Sequence, residues 1–474
     1  MRLGQTSVIN FGATLLASLA GFAATLYIAQ KLGSATLGAY SLFIAVLIWM
    51  QTGFGSGLHY AINKRLSEIG DSSRDLGAGL IAQAVAFVIV SMGLFAFSQT
   101  LNEYLSFQGT KLLIIALGIA LAFSFVSSIL RGEQKVHIAA ILKPIDRIIR
   151  SGAQLGVIFL SLLGGGLAGL VWGYVAGATV ATIVGIALVS VRPRLPNRQH
   201  FENVLGFTRY SWLSGIEQRS FSAMDTVVLG AFVSTNLIGY YEVAWNLASL
   251  LAIFGNSIVQ TLFPAISELA SDDEHDAAAK LVTDGLRYLG LFLIPGLFGV
   301  LVVGEYVLQI YGSEFQRASM VLIVLVAARL IYAYEAHLIS ALDALDHPEI
   351  TFRINLIFVT ANLLLNIIFV SQFGWFGAAV ATGLAASLGL VLAFNALRSF
   401  VDFTLPTQEF ANQLIAAIMM GIVVFFVEPL IVRIPFDPIF IALSLVIPGT
   451  IVYFFTLLSI SERFRATVRV NLKI

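Results

Sequence analysis

Apolar runs of about 20 residues, each long enough to cross ~30 Å of hydrocarbon as a helix, follow one another along this chain with little between them. The pattern predicts fourteen membrane helices, at 8–29, 39–58, 77–97, 112–130, 148–163, 167–190, 211–232, 237–261, 286–304, 320–342, 353–371, 374–397, 412–432 and 438–458. The longest hydrophilic connections are 61–76, 131–147, 191–210 and 265–285. None reaches the ~40 residues that an independent core needs, so any chemistry belongs in the membrane or at its surface. In the last connection, Ser267–Asp276 reads as an acidic turn feeding a surface helix over Ala277–Arg287, where acids suit the helix N-terminus. The expected fold class is an all-α polytopic membrane protein.

The cations sharpen this reading. If the connections are numbered from the N-terminus, twenty-one Lys and Arg residues fall on the even side, the termini included. Only Lys31, Lys111, Arg317 and Arg433 fall on the other. A miscount of one helix would scramble the split. The positive-inside rule then places both termini in the cytoplasm. The first run follows Arg2 as a signal peptide would, but at about 22 residues it exceeds an h-region and reads as an uncleaved helix. Hydrophobic residues make up 58% and charged residues 11% of the chain, and the net charge is zero, so no long-range field favours a nucleic-acid partner. There is no cysteine, which removes disulfides and thiolate chemistry. The basic run Arg131–Arg150 is explained by topology control as well as by attraction to anionic head groups.

The chain also resembles itself. Ser34-Ala-Thr-Leu-Gly-Ala-Tyr40 aligns with Thr235-Asn-Leu-Ile-Gly-Tyr-Tyr241, and Gly166-Leu-Ala-Gly169 aligns with Gly374-Trp-Phe-Gly377. The offset equals six helices, so the copies share an orientation, as in transporters that rock two bundles around a midplane site. The expected organisation is an N-lobe over 1–200 (helices 1–6), a C-lobe over 201–400 (helices 7–12), and an appended pair of helices with a basic tail over 401–474.

Polar residues line up inside several helices. Helix 1 carries Asn10, Thr14, Ser18, Gly21 and Thr25; helix 8 carries Glu242, Asn246, Ser249, Asn256 and Gln260; helix 11 carries Asn355, Asn362 and Asn366. Such spacing keeps each set on one stripe, facing either other helices as hydrogen-bonding glue or a hydrated cavity. Charges at membrane depth are a sharper signal: Glu217, Arg219 and Asp225 in helix 7, and Arg329 and Glu335 in helix 10 beside Tyr332 and His337. Each would cost ~2.5–3.5 kcal/mol at the bilayer centre on insertion scales. Arg219 and Arg329 are the candidates for gripping phosphate, because a guanidinium is a permanently charged fork matched to phosphate oxygens. Asn246, Asn256, Asn362, Asn366 and Tyr332 would line the same cavity. Glu217, Asp225 and Glu335 would neutralise the cations or carry a coupling proton or Na⁺, and structural ion pairing is the plainer alternative. On an ideal helix Arg219 and Asp225 are nearly opposite and do not pair.

Enzyme readings lose ground by elimination. The chain has no G-x-x-x-x-G-K-[ST] loop and no metal-ligand spacing, and its outside loops are short. The loop Gln30–Leu37 lacks the acids that a membrane glycosyltransferase commonly places there. No cofactor and no metal are expected.

Lys31-Leu-Gly-Ser-Ala-Thr-Leu-Gly-Ala-Tyr40, then Thr52-Gly-Phe-Gly-Ser-Gly-Leu58 and Asn63-Lys-Arg65, resembles the opening of the polysaccharide-transporter, or lipid-linked oligosaccharide flippase, family. This O-antigen repeat-unit flippase-like group belongs to the multidrug/oligosaccharidyl-lipid/polysaccharide exporter superfamily. Asp225-Thr-Val-Val-Leu-Gly230, Gly239-Tyr-Tyr241, Phe263-Pro264, Tyr311-Gly312 with Phe315, and Gly374-x-x-Gly-Ala-Ala379 stand in the family's order. The likeness covers about residues 1–400. It implies two pseudo-symmetric six-helix bundles around a cavity that opens alternately to each side of the cell membrane. The cargo it implies is a polyprenyl-phosphate- or pyrophosphate-linked oligosaccharide, turned from the cytoplasmic to the outer leaflet for surface glycan assembly. Glycosyltransferases or a polymerase of the same pathway, and membrane lipids, are the implied partners. Arg219 and Arg329 match the family's cationic cavity by position, and Asp225 matches a frequent acid. The competing readings are an ion-coupled multidrug or metabolite antiporter of the same superfamily and a membrane glycosyltransferase.

Overall fold

The computed structural model describes residues 3–68, 72–160, 166–211, 216–272, 274–433 and 437–472, with side chains outside the description at 3–19, 160, 209–211 and 470–472. Asn10, Thr14 and Ser18 of the first polar stripe fall in that gap. The described residues form helices and their connections, with no strand among them. The chain divides into two compact units, Met1–Gly239 and Tyr240–Ile474. The first contains α1 (Leu3–Ser67), α2 (Ser72–Ala96), α3 (Ser98–Leu105), α4 (Thr110–Gly132), α5 (Val136–Leu160), α6 (Gly166–Leu188), α7 (Arg198–Ser211) and α8 (Ile216–Phe232). α9 (Thr235–Leu251) begins in it and continues into the second unit. There follow α10 (Ile253–Ser271), α11 (His275–Gln309), a 3₁₀ turn (Ser313–Ala318), α12 (Ser319–Ala344), α13 (Pro348–Leu397), α14 (Thr407–Ile431), α15 (Pro438–Ile460) and α16 (Glu462–Leu472).

Nine helices among the described residues are long and apolar enough to span a membrane, or ten if the bent pair α9–α10 counts as one span. At 1.5 Å per residue, the 65 residues of α1 and the 50 of α13 are each far longer than a bilayer is thick. Both leave helical geometry at one glycine, Gly33 and Gly374. In α13 the two arms fold back on each other, since the Asn362 amide reaches Thr382 Oγ1 at 3.4 Å. α5 does not pass as a span, and the 17 described residues of α8 are too few to count as one. α5 carries Lys143, Asp146, Arg147 and Arg150, and α8 carries Glu217, Arg219 and Asp225.

The internal repeat has a backbone signature. Gly166 and Gly374, matched by the alignment, both adopt the left-handed region, at φ 62° and 60°, where an L side chain is strained. Their partners Gly169 and Gly377 both mark close approaches: an added Cβ would lie 2.2 Å from Val157 Cγ1 and 2.1 Å from the Phe369 carbonyl oxygen. Within the first unit, a Cβ on Gly38 would meet the Thr235 carbonyl oxygen, and one on Gly239 the Ser34 carbonyl oxygen. The contact is reciprocal between matched residues.

Three connections differ from the sequence reading. The stretch 131–147 is not a loop, because α5 already begins at Val136. The acidic turn does not lead into a separate surface helix: α10 ends at Ser271, and from His275 the chain forms one continuous 35-residue helix, α11. Between 191 and 210 lies the amphipathic helix α7, whose Phe201, Val204 and Phe207 recur every three residues and pack on Leu58, Ile62 and Phe125. Tyr60 stacks on Phe207 with Lys64 4.3 Å above that ring, and Arg65 donates to the Asn203 carbonyl. Burying its apolar side makes α7 a helix despite its polar composition.

Glu133, in the turn between α4 and α5, ties that turn to the end of α6. Its carboxylate accepts from the Ser190 and Val191 backbone N–H groups and pairs with Lys135 at 2.7 Å. Burial pushes the Glu133 carboxyl up, but the Lys135 bond and the two backbone bonds outweigh it and hold the group below its usual range. A depressed carboxyl pKa contributes stability above the unfolded-state value, ~4.3, and loses it as pH falls through the folded value. Glu133→Gln should therefore lower the melting temperature at pH 7 and flatten its fall between pH 5 and pH 3, as read by tryptophan fluorescence in detergent.

Candidate functional site

The site is built on a glycine ridge. On α6, Gly169, Gly173 and Gly177 are four residues apart and share one face. A Cβ on Gly173 would lie 2.5 Å from Gln154 Cγ. One on Gly177 would lie 2.6 Å from the Asp146 carbonyl oxygen and 2.8 Å from Arg150 Cβ. Small residues at this spacing let two membrane helices approach backbone to backbone. α5 is the helix so drawn in, and it presents Lys143, Arg147, Arg150 and Gln154 in steps of four, three and four. The stripe runs ~16 Å along the helix.

Arg150 is the last cation of the stripe. Its Nη2 donates to Asp146 Oδ2 at 2.5 Å, and its guanidinium lies 4.0 Å from the centre of the Tyr174 ring. Gln154 Nε2 donates to Tyr40 Oη at 2.7 Å and to the Leu170 carbonyl at 3.0 Å, which ties α5 to α1 and α6. Tyr40 lies within electrostatic reach of Arg150, Arg147 and Asp146. Lys143 interacts in the same way with Arg131 and Arg219, and Arg219 with Tyr174. Lys143, Arg147 and Arg219 are exposed. Exposed cations are stable where they meet water or head groups, because facing hydrocarbon would cost several kcal/mol. The first unit therefore carries an exposed cationic surface backed by a buried polar network.

The sequence reading placed only Arg219 here. Lys143, Arg147 and Arg150 belong to the basic run for which the sequence offers topology control or anionic head groups, in a hydrophilic connection reaching residue 147. The 4–3–4 spacing was present in the sequence, but a helix starting at 148 hid it.

On α8, Asp225 is buried at 3% exposure, Glu217 is half-buried and Arg219 is exposed, so the acid and the cation do occupy different faces. In the second unit, Arg329 Nη2 donates to Ser249 Oγ at 2.5 Å and its guanidinium stacks 4.1 Å from the Trp245 ring centre. Asn246 donates to Glu242 one turn back on α9, at 3.1 Å. Asn256 does not continue that stripe on a straight helix, since α9 and α10 meet at a 48° bend; it lies exposed on α10. Asn362 and Asn366 are fully buried, and Asn366 donates to the Asn362 carbonyl at 3.0 Å. Tyr332 is half-buried, its ring 6.3 Å from that of Phe358. Glu335, 1% exposed, lies against Gly389 of α13. His337 bonds the Val282 carbonyl through Nε2 at 3.0 Å, a structural link between α11 and α12. No three His, Asp or Glu residues converge as a metal site among the described residues.

Residues 80–320 match a family described as polysaccharide biosynthesis protein. "Probable flippase AglR" of Haloferax volcanii is 32% identical over 474 residues, covering 99% of this chain and 98% of that relative. The chain belongs to this family. A second relative, "Probable low-salt glycan biosynthesis flippase Agl15" of the same organism, is 28% identical over 90% of both chains. A solved structure of the lipid II flippase MurJ in an inward closed conformation superposes with TM-score 0.83 over 98% of this chain and all of that one. At 18% identity that likeness is one of fold. The family places the long apolar helices in a multi-pass membrane protein.

Proposed function

We propose that this protein moves a lipid-linked oligosaccharide from the cytoplasmic to the outer leaflet of the cell membrane, gripping the carrier's phosphate or pyrophosphate on the cationic surface of its first unit. The observation that carries the reading is the set of exposed cations Lys143, Arg147 and Arg219 on α5 and α8. Phosphate is recognised by such charge-assisted donors, and hydroxyl-rich glycan needs a water-lined route past the hydrocarbon. The lipid tail needs neither and stays in the bilayer. The flippase relatives support the same cargo class. Both termini lie in the cytoplasm on this reading, the protein works without covalent catalysis, and it serves glycosyltransferases or a polymerase of one pathway. Arg329 acts as a second anion contact in the second unit, with Asn246, Asn256, Asn362, Asn366 and Tyr332 as polar lining. Glu217, Asp225 and Glu335 supply acids for a coupling proton or Na⁺.

The test is a flipping assay in liposomes with a labelled polyprenyl-phosphate glycan. Wild type should accelerate leaflet exchange. Arg147→Ala and Arg219→Ala should each slow it by ~10-fold or more, the value of one charge-assisted hydrogen bond. No acceleration of any lipid-linked glycan, together with ion-driven efflux of a cationic drug, would assign the protein to the antiporters instead.

A further inference from the structure

Asp146 has no evident task in gripping an anion, yet it sits in the middle of the grip. It is the one carboxylate among the cations of the α5 stripe, one helical turn before Arg150 and one residue before Arg147. The Asp146 and Arg150 side chains are only 11% and 15% exposed. A buried ion pair must satisfy its remaining donors and acceptors to recover the cost of desolvation. This pair does not. Asp146 Oδ1 and Arg150 Nε are both buried without a hydrogen-bond partner among the described residues. The guanidinium, with donors on Nε, Nη1 and Nη2, has one Nη on a carboxylate and one face on Tyr174, while its Nε stays unused.

We propose that Asp146 is the resident counter-anion of Arg150, displaced by the phosphate of the lipid carrier when substrate arrives and returning to Arg150 when it leaves. The proposal rests on the transport reading above and adds to it a residue that tunes affinity. Asp146, fixed one turn away on the same helix, reaches only Nη2, whereas a mobile phosphate can turn two oxygens to Nε and Nη2 at once, as guanidinium–phosphate pairs commonly do. Arg150 is held for this exchange by Tyr174 beneath it and by the glycine ridge behind it. Lys143 and Arg147, exposed on the same stripe, are the contacts a phosphate meets before Arg150. Asp146 in turn keeps the site from holding its ligand too tightly to release it, because the returning carboxylate competes for Arg150.

The measurement is binding of geranylgeranyl phosphate, geranylgeraniol and inorganic phosphate to purified protein in nanodiscs, paired with the flipping assay. Asp146→Asn keeps the shape and removes the competing charge. It should bind geranylgeranyl phosphate about 10-fold tighter, as expected for loss of a competing charge-assisted bond, with no change for the alcohol. In the flipping assay it should lower the apparent KM and the maximal rate together. Arg150→Gln should abolish the preference for the phosphate over the alcohol and cancel the gain in the double variant. It tests the proposal even if Asp146→Asn does not fold. Unchanged or weaker phosphate binding by folded Asp146→Asn would overturn it and leave the pair as a structural brace. Inorganic phosphate binding as tightly as the lipid phosphate would also overturn it, by showing that the site does not read the carrier. If wild type neither flips lipid-linked glycan nor distinguishes phosphate from alcohol, the transport reading itself fails.

Discussion

Gly177→Ala is expected to lower stability by about 1–3 kcal/mol, the usual cost of overpacking a close contact, and to reduce flipping at least 10-fold in the protein that still folds. The added methyl would stand 2.6 Å from the Asp146 carbonyl oxygen, 2.8 Å from Arg150 Cβ and 2.9 Å from Arg150 N. Two of these three atoms are backbone, so no rotamer change relieves the clash and α5 must move away from α6. The Tyr174 ring sits on α6 less than one turn before Gly177, and Arg150 reaches it from α5, so separating the helices pulls the guanidinium off its support. A control lies on α5 itself. Gly152 has nothing within 4 Å of an added Cβ, and Gly152→Ala should be neutral or stabilising by up to ~1 kcal/mol through helix propensity. Thermal melts of the two variants in detergent decide the matter. Equal melting temperatures would show that the ridge does not set the helix separation.

Gly389→Ala is the second large effect, and it identifies its own partner. A Cβ on Gly389 would fall 1.8 Å from Glu335 Oε1 and 2.4 Å from the carboxyl carbon. A side chain normally swings out of such a contact, but Glu335 is 1% exposed on a helix that packs along much of α13, with little room to move. The single substitution should cost about 2–3 kcal/mol. Glu335→Ala in the same protein removes the obstructing carboxyl, so the double variant should recover most of that loss. Residues in direct contact show coupling energies of ~0.5–3 kcal/mol in such cycles, and the sign expected here is favourable. Additive losses, measured as melting temperatures of the four proteins, would mean that Glu335 and Gly389 do not meet. Because Glu335 is a proposed coupling group, flipping by the double variant separates packing from function: a restored melting temperature without restored transport places its role in the carboxyl.

The sequence by itself determined the class of this protein. Apolar runs of bilayer length and a one-sided distribution of Lys and Arg leave no other solvent for the helices, because backbone groups in hydrocarbon must bond within their own segment. It also aligned Gly166 with Gly374, and both adopt positive φ, which glycine accepts without strain. It separated Arg219 from Asp225, because helical geometry alone places them on different faces. What it could not reveal was α5. A helix with four charged side chains in eight residues, Lys143 to Arg150, scores as a loop when hydropathy is the guide. It is a helix because its neighbours make it one: a ridge of glycines on α6 brings the backbones together, Tyr174 lies beneath Arg150, and Gln154 bonds α1 and α6 at once. The bend at Ala252 and the burial of α7 were hidden for the same reason. Each depends on surfaces brought together from distant parts of the chain. Periodicity reports which residues share a face, and only packing decides what that face meets.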